Sequence, residues 1–383
     1  MSPLRRERKR RGWTLERVVN ELRRLGAKHG YGELGVDANA VSRWELGKHQ
    51  PQQPYPELFA ILYEMTVEGL WPSTIDDMRR REFLISLGAT GVAAALPAGQ
   101  AGGALDIGAL TVITGAYRRL EATTPAAELA GPVYAHLRFV TQRLDQGGPR
   151  LAAAASEVAG LAGWLAFDQG DDQGARRAYE MAVRRAEQSG SEMLTAYMLG
   201  SMALWAAEAG HSNEALALVG TARCHMPRKP SLTTRAWMSA VEAMAHASAH
   251  RAEDAFAALK SAQRAVGGEP EWPWVYPFDD AKLAGYQGAV ATHVGRPDAA
   301  IPALRDALNP GPSKARARTL ADLAMSQLAA GDLDRAAHAA GEAFALGSAM
   351  GSRRVVRRVR VVRARMPEGS AATALDERIA AVS

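Results

Sequence analysis

The chain has 383 residues, 47% of them apolar and 23% charged. That mix suits folded cores and excludes a wholly disordered protein. A single cysteine, Cys224, excludes a disulfide framework and a multi-cysteine zinc site. At about 150 residues per domain, the length predicts two or three domains. No apolar run reaches the ~20 residues of a membrane-spanning helix. The first residues, Met1-Ser-Pro-Leu-Arg-Arg, lead into charge rather than a signal-peptide core. The expectation is a cytoplasmic protein with no membrane partner.

Charge is unevenly placed. Residues 1–50 hold 12 Lys+Arg against 6 Asp+Glu, residues 353–383 hold 8 against 3, and the stretch between is acidic, 26 against 32. A basic head on an acidic body points to an anionic partner for the head, of which nucleic acid is the commonest.

Residues 1–72 read as a compact set of short helices. The first is Leu4–Arg11, ended by Gly12 with Trp13 beneath it. Thr14 can cap a second, with Leu15, Val18, Val19 and Leu22 at helical spacing. A glycine-punctuated insert, Gly26–Gly35, follows. Asp37 can cap a third helix, Ala38–Glu45, closed by Gly47, and Pro56–Met65 is a further apolar helix. Residues 73–103 read as a linker, with Met78–Ala95 helical and Pro97–Gly103 a hinge.

From 104 to 383 the pattern is almost all helix and it repeats. A small residue, a Gly-Asp-like pair, an Ala, a bulky residue and another Ala recur in order. The first unit is Gly163, Gly170-Asp171, Ala175, Tyr179, Ala182; the second is Ala203, Gly210-His211, Ala215, Val219, Ala222. The third is Ala243, His250-Arg251, Ala255, Leu259, Ala262; the fourth is Gly288, Gly295-Arg296, Ala300, Leu304, Ala307; the fifth is Ala324, Gly331-Asp332, Ala336, Ala340, Ala343. Small residues let two antiparallel helices approach, a turn residue ends the first helix, and the bulky residue fills the gap toward the next unit. This resembles tetratricopeptide repeats, over about residues 150–350. Residues 104–147 add a degenerate helix pair.

The segment Gly35-Val-Asp-Ala-Asn-Ala-Val-Ser-Arg-Trp-Glu-Leu-Gly-Lys48 carries the sharpest signal. It resembles the recognition helix of lambda-repressor-like, Xre-type helix-turn-helix proteins, matching at Gly35, Val36, Asp37, Val41, Ser42, Trp44, Glu45 and Gly47. The resemblance implies an all-α fold in which this helix-turn-helix domain precedes a tetratricopeptide-like α-solenoid, the layout of actinobacterial Xre-type regulators. It departs from the family in spacing. Thr14 and Val36 stand 22 residues apart where the family has about ten, so the second helix and the insert are longer.

The faces follow from 100° per residue. Val41 and Trp44 share one face; Asn39 and Arg43 lie opposite, with Ser42 at the edge. Such a helix suits a major groove, where Asn reads adenine and Arg reads guanine or holds a phosphate. Lys48, Arg10 and the helix N-terminus at Thr14 and Leu15 are the candidate phosphate contacts. Double-stranded DNA is the expected partner of the head, and a homodimer would read two half-sites.

In the repeats, the first helices of stacked pairs line a concave groove. Projecting the repeat onto it selects Glu157, Trp164, Phe167, Tyr197, Leu204, Trp237, Met244, Lys282, Arg318 and Met325. The aromatic-proline loop 269–278, with Trp272, Trp274 and Tyr276, is placed to lid it. Aromatic rings with sparse charge suit a small-molecule or peptide effector.

Other signals carry less. Gly30-Tyr-Gly-Glu-Leu-Gly35 matches a dinucleotide fingerprint without the βαβ unit it needs. Arg80-Arg81 before an apolar run imitates a twin-arginine signal far from the N-terminus. Arg353–Met366 is an amphipathic helix, with Val355, Val359, Val362 and Met366 inward and its arginines expected in water. No catalytic constellation, metal set or cofactor loop is present in the sequence, so a non-enzymatic regulator is expected. A tetratricopeptide adaptor with a non-specific basic head is the alternative.

Overall fold

The computed structural model describes residues 3–28, 34–46, 51, 55–63, 65, 70, 106–268, 278–308, 311 and 313–382. The expected linker helix and hinge at 73–103, the aromatic loop with Trp272, Trp274 and Tyr276, and Lys48 lie outside them. So does most of the Gly30–Gly35 fingerprint. Among the described residues there are eighteen helices and no strand. The chain divides into two compact units, residues 1–90 and 91–383.

The first unit holds α1 (Pro3–Arg10), α2 (Leu15–Lys28), α3 (Ala38–Glu45) and α4 (Tyr55–Tyr63). Gly12 takes φ 66°, which lets the chain reverse between α1 and α2. The Thr14 hydroxyl accepts from the Arg17 amide at 3.2 Å, and Asp37 accepts from Ala40 at 2.6 Å, so both expected caps form. Leu4, Val18, Val19, Leu22, Val36, Val41, Leu58, Phe59 and Tyr63 make one core. α2 runs to Lys28, two residues past Gly26 where the insert was expected to begin, and Leu34 lies where a Gly26 side chain would stand.

The second unit opens with α5 (Ile107–Glu121) and α6 (Ala126–Thr141). Then come α7 (Leu144–Asp168), α8 (Asp172–Gln188), α9 (Glu192–Glu208), α10 (Ser212–Cys224), α11 (Leu232–Ser248) and α12 (Ala252–Gln263). The array continues with α13 (Asp280–His293), α14 (Pro297–Asp306), α15 (Lys314–Ala329), α16 (Leu333–Ala349), α17 (Arg353–Arg365) and α18 (Ser370–Ala380). α7 to α16 pair as five hairpins in the expected register. The chain is therefore all-α, and this unit is a tetratricopeptide-like α-solenoid.

One turn geometry generates it. Gly170, Gly210, His250, Gly295 and Gly331 all take positive φ, between 57° and 84°. In each turn the next amide bonds five residues back, as in Asp171 to Ala166 at 2.9 Å and His211 to Ala206 at 2.8 Å. Ala175, Ala215, Ala255, Ala300 and Ala336 are fully buried behind these turns. A side chain at Gly163 would press on the Tyr179 ring at 3.0 Å. His250 alone among the described non-glycine residues carries the left-handed conformation. Replacing it with Gly is expected to raise stability by about 0.5 kcal/mol, since the αL penalty of an L-residue exceeds the extra chain entropy of Gly. A urea melt that shows a loss instead would refute this.

The array also closes on itself. The Lys314 amide donates to the Ala122 carbonyl and the Ala126 amide to the Met350 carbonyl, each at 3.3 Å. Hairpins more than 180 residues apart in sequence thus touch.

Candidate functional site

In the first unit, α3 presents two faces. Val41 is fully buried, and Trp44 lies 5.0 Å from the Tyr55 ring, tilted by 42°, and edge-on at 6.1 Å to Phe59. Asn39 and Arg43 are exposed, and Ser42 is half-buried. Glu45, 5% exposed, ends the helix inward, where Arg8 grips both its oxygens at 2.6 and 2.8 Å. That hydrogen bond raises the Arg8 pKa against the effect of its burial. Arg8 also donates to the Trp13 carbonyl at 3.0 Å, so α1, the α1–α2 turn and α3 share one anchor.

The candidate phosphate contacts are less alike. Arg10 is exposed, and its pairing with Glu7 at 3.0 Å uses Nε alone of its five N–H donors. The Thr14 hydroxyl accepts in its cap and is exposed, and Leu15 is half-buried at the α2 N-terminus. No sequence signal marked Arg8 or its pairing with Glu45, because their 37-residue separation is invisible to helical periodicity.

In the repeat unit, three of the projected aromatic residues, Trp164, Tyr197 and Trp237, meet around a chamber of about 130 Å³. Tyr197 and Trp237 lie ring to ring at 5.0 Å, tilted by 32°. Trp164 donates its indole N–H to Glu121 at 2.9 Å. Arg118 from α5 enters the lining and donates to the Glu157 carbonyl at 3.0 Å. Gly160, Tyr179, Met198, Ser201 and Leu204 complete the wall. Burial pushes the Tyr179 phenol well above its ordinary pKa, so it stays protonated. Arg118 and Tyr179 were missed by projection, since they come from a flanking helix and a second helix.

The rest of the projected groove is not an open groove. Phe167 is 2% exposed and belongs to the core, a correction to the groove assignment. Met244 is equally buried and, with Arg318, borders a recess of only about 10 Å³, room for one water. Lys282 sits with its ammonium 5.9 Å from the Phe278 ring, and burial lowers its pKa to about 8. Glu157 is 8% exposed.

Ion pairs fill the inner surface where the array closes. Lys314 bridges Glu121 at 3.2 Å and Asp168 at 3.1 Å. Arg354 holds Glu208 at 2.8 Å and lies 4.8 Å over both Trp164 and Phe167. Arg318 reaches Glu208 at 3.5 Å, and Arg358 meets Asp322 at 2.5 Å. Burial would push the Glu208 carboxyl up, but Arg354, Arg318 and Arg358 outweigh it and hold it below its ordinary pKa. Arg354 and Arg358 thus point inward, not into water as expected. The apolar stripe Val355, Val359, Val362 and Met366 is buried as expected.

No described helix is long and apolar enough to cross a membrane, and no described cluster of His, Cys, Asp or Glu fits a metal ion. No family model matches the chain, and no curated protein does. Among solved structures, the crystal structure of the APC/C hetero-tetramer Cut9-Hcn1 is similar at 14% identity and a TM-score of 0.35. That match covers 86% of this chain and 63% of the other, so the chain spans less than two thirds of it. A likeness this distant carries no argument about fold or function.

Proposed function

We propose that the chain is a cytoplasmic, sequence-specific DNA-binding transcriptional regulator of the Xre type. In this reading it acts as a homodimer, catalyses no reaction, and carries an effector-sensing repeat unit. The observation that carries it is the two-faced α3. Its apolar side is locked by Val41, Trp44 and the Arg8–Glu45 pair, while Asn39 and Arg43 stand outward. A short, capped helix with a rigid inner face and a polar outer face can lie in a major groove without refolding.

A mobility-shift assay with genomic fragments tests it. A preferred fragment should survive competitor DNA, and Asn39→Ala or Arg43→Ala should each weaken it by about 1–3 kcal/mol. Both residues are exposed, so the thermal melt should not move. Unchanged affinity in both variants would remove the base-reading assignment. The second reading, a protein-binding adaptor, is supported by the helical-repeat array itself, whose stacked hairpins suit partner segments. It predicts binding that is equal on all fragments and lost as salt rises.

A further inference from the structure

The chamber in the repeat unit has a size and a chemistry that narrow its occupant. Its volume is about 130 Å³. An apolar cavity of roughly 150 Å³ takes up benzene, so the space matches a single six-membered ring, with any substituent at the mouth. Its lining is mainly aromatic and aliphatic, and no carboxylate belongs to it. Arg118 is its one charged group, and Ser201 adds a hydroxyl. An aromatic box alone would suit a cation, but a guanidinium in the wall repels one and attracts an anion.

The walls are held before any ligand arrives. Glu121 fixes the Trp164 indole, and the Glu157 carbonyl fixes Arg118. Two glycines leave the necessary room. A side chain at Gly160 would strike the Met198 sulfur at 2.7 Å, and one at Gly200 would strike the Trp237 ring at 2.6 Å. Tyr197, Ser201 and Leu204 are half-buried, which gives the chamber a mouth.

We propose that this chamber binds a small single-ring aromatic carboxylate, with the carboxylate on Arg118 and the ring among Trp164, Tyr197 and Trp237. The proposal rests on reading the repeat unit as an effector-binding module, and it replaces the peptide as the effector. A charge-assisted bond to guanidinium supplies affinity and selects against neutral and cationic analogues. Trp164 and Trp237 report occupancy by their fluorescence.

The test uses the full chain and three probes, benzoate, benzyl alcohol and benzylammonium, followed by tryptophan fluorescence and calorimetry. Benzoate should bind one per chain, benzyl alcohol more weakly, and benzylammonium not at all. Arg118→Met should weaken benzoate at least about tenfold while leaving benzyl alcohol unchanged. Ser201→Leu should fill the chamber and abolish both, with the circular-dichroism melt intact. No benzoate binding at millimolar concentration, equal binding of benzylammonium, or a Ser201→Leu variant that binds benzoate normally would overturn the assignment. The mobility shift separates the two readings. Fragment-specific DNA binding without benzoate binding sinks the chamber alone. Benzoate binding with indiscriminate DNA binding sinks the regulator reading and leaves the chamber standing.

Discussion

Replacing Glu208 by Gln is expected to cost about 3–5 kcal/mol of stability. The Glu208 side chain is only 6% exposed and is held by Arg354 at 2.8 Å and Arg318 at 3.5 Å. Removing its charge takes the nearest carboxylate from the Arg354 guanidinium, which is 11% exposed and keeps the more distant Asp168 at 3.9 Å, and weakens the hold on Arg318, which is 29% exposed. Arg354→Met should cost a similar amount for the mirror-image reason. It would also strip the cation from the faces of Trp164 and Phe167. The double variant should lose clearly less than the two single losses combined, since it buries no orphaned partner across that pair. Urea melts of the four proteins give the cycle. Additive losses would show that the pair does not act as a unit in closing the array.

Acid should weaken the protein through His136. Its side chain is fully buried in α6, and burial lowers its pKa to about 4. Thr114 donates its hydroxyl to the Leu110 carbonyl at 3.0 Å and meets His136 Nε2 at 3.1 Å. The hydroxyl proton is thereby used, so Nε2 carries the ring proton and donates. His136 Nδ1 has no hydrogen-bond partner and would have to take up the second proton in a dry site. The unfolded chain binds that proton near pH 6.5, the folded chain near 4. Stability is therefore fully present above 6.5 and falls as pH drops toward 4, by about 3 kcal/mol from this group. His136→Gln should flatten that slope between pH 6.5 and 4.5 in urea titrations. An unchanged slope would assign the acid sensitivity to other groups.

The local grammar of the candidate sites was legible in the chain. Asp37 before a helix-forming run announces a cap, and Val41 with Trp44 announces an inner face, because both depend on neighbours within four residues. The same holds for Trp164, Tyr197 and Trp237, which repeat spacing sends to the inner side of successive hairpins. What helical spacing could not separate was a ring that lines a space from one that fills the core. Phe167 and Trp164 sit three residues apart on one helix, yet the first is sealed while the second edges the chamber. That difference depends on what the facing helix brings, and glycines at 160 and 200 set it.

The arginine-rich helix α17 shows the other boundary. Its amphipathic stripe, Val355 to Met366, was readable, and so was the surplus of acid in the preceding body. Their meeting was not. Arg354 reaches Glu208 across 146 residues and Lys314 reaches Glu121 across 193. Periodicity, caps, turn glycines and small crossing residues were set by the chain alone, since each is a matter of a few adjacent backbone angles. The closure of the array, the buried ion pairs and the chamber were decided by tertiary structure. A small rotation per hairpin accumulates over the array, and only its sum determines which distant side chains arrive at the same place.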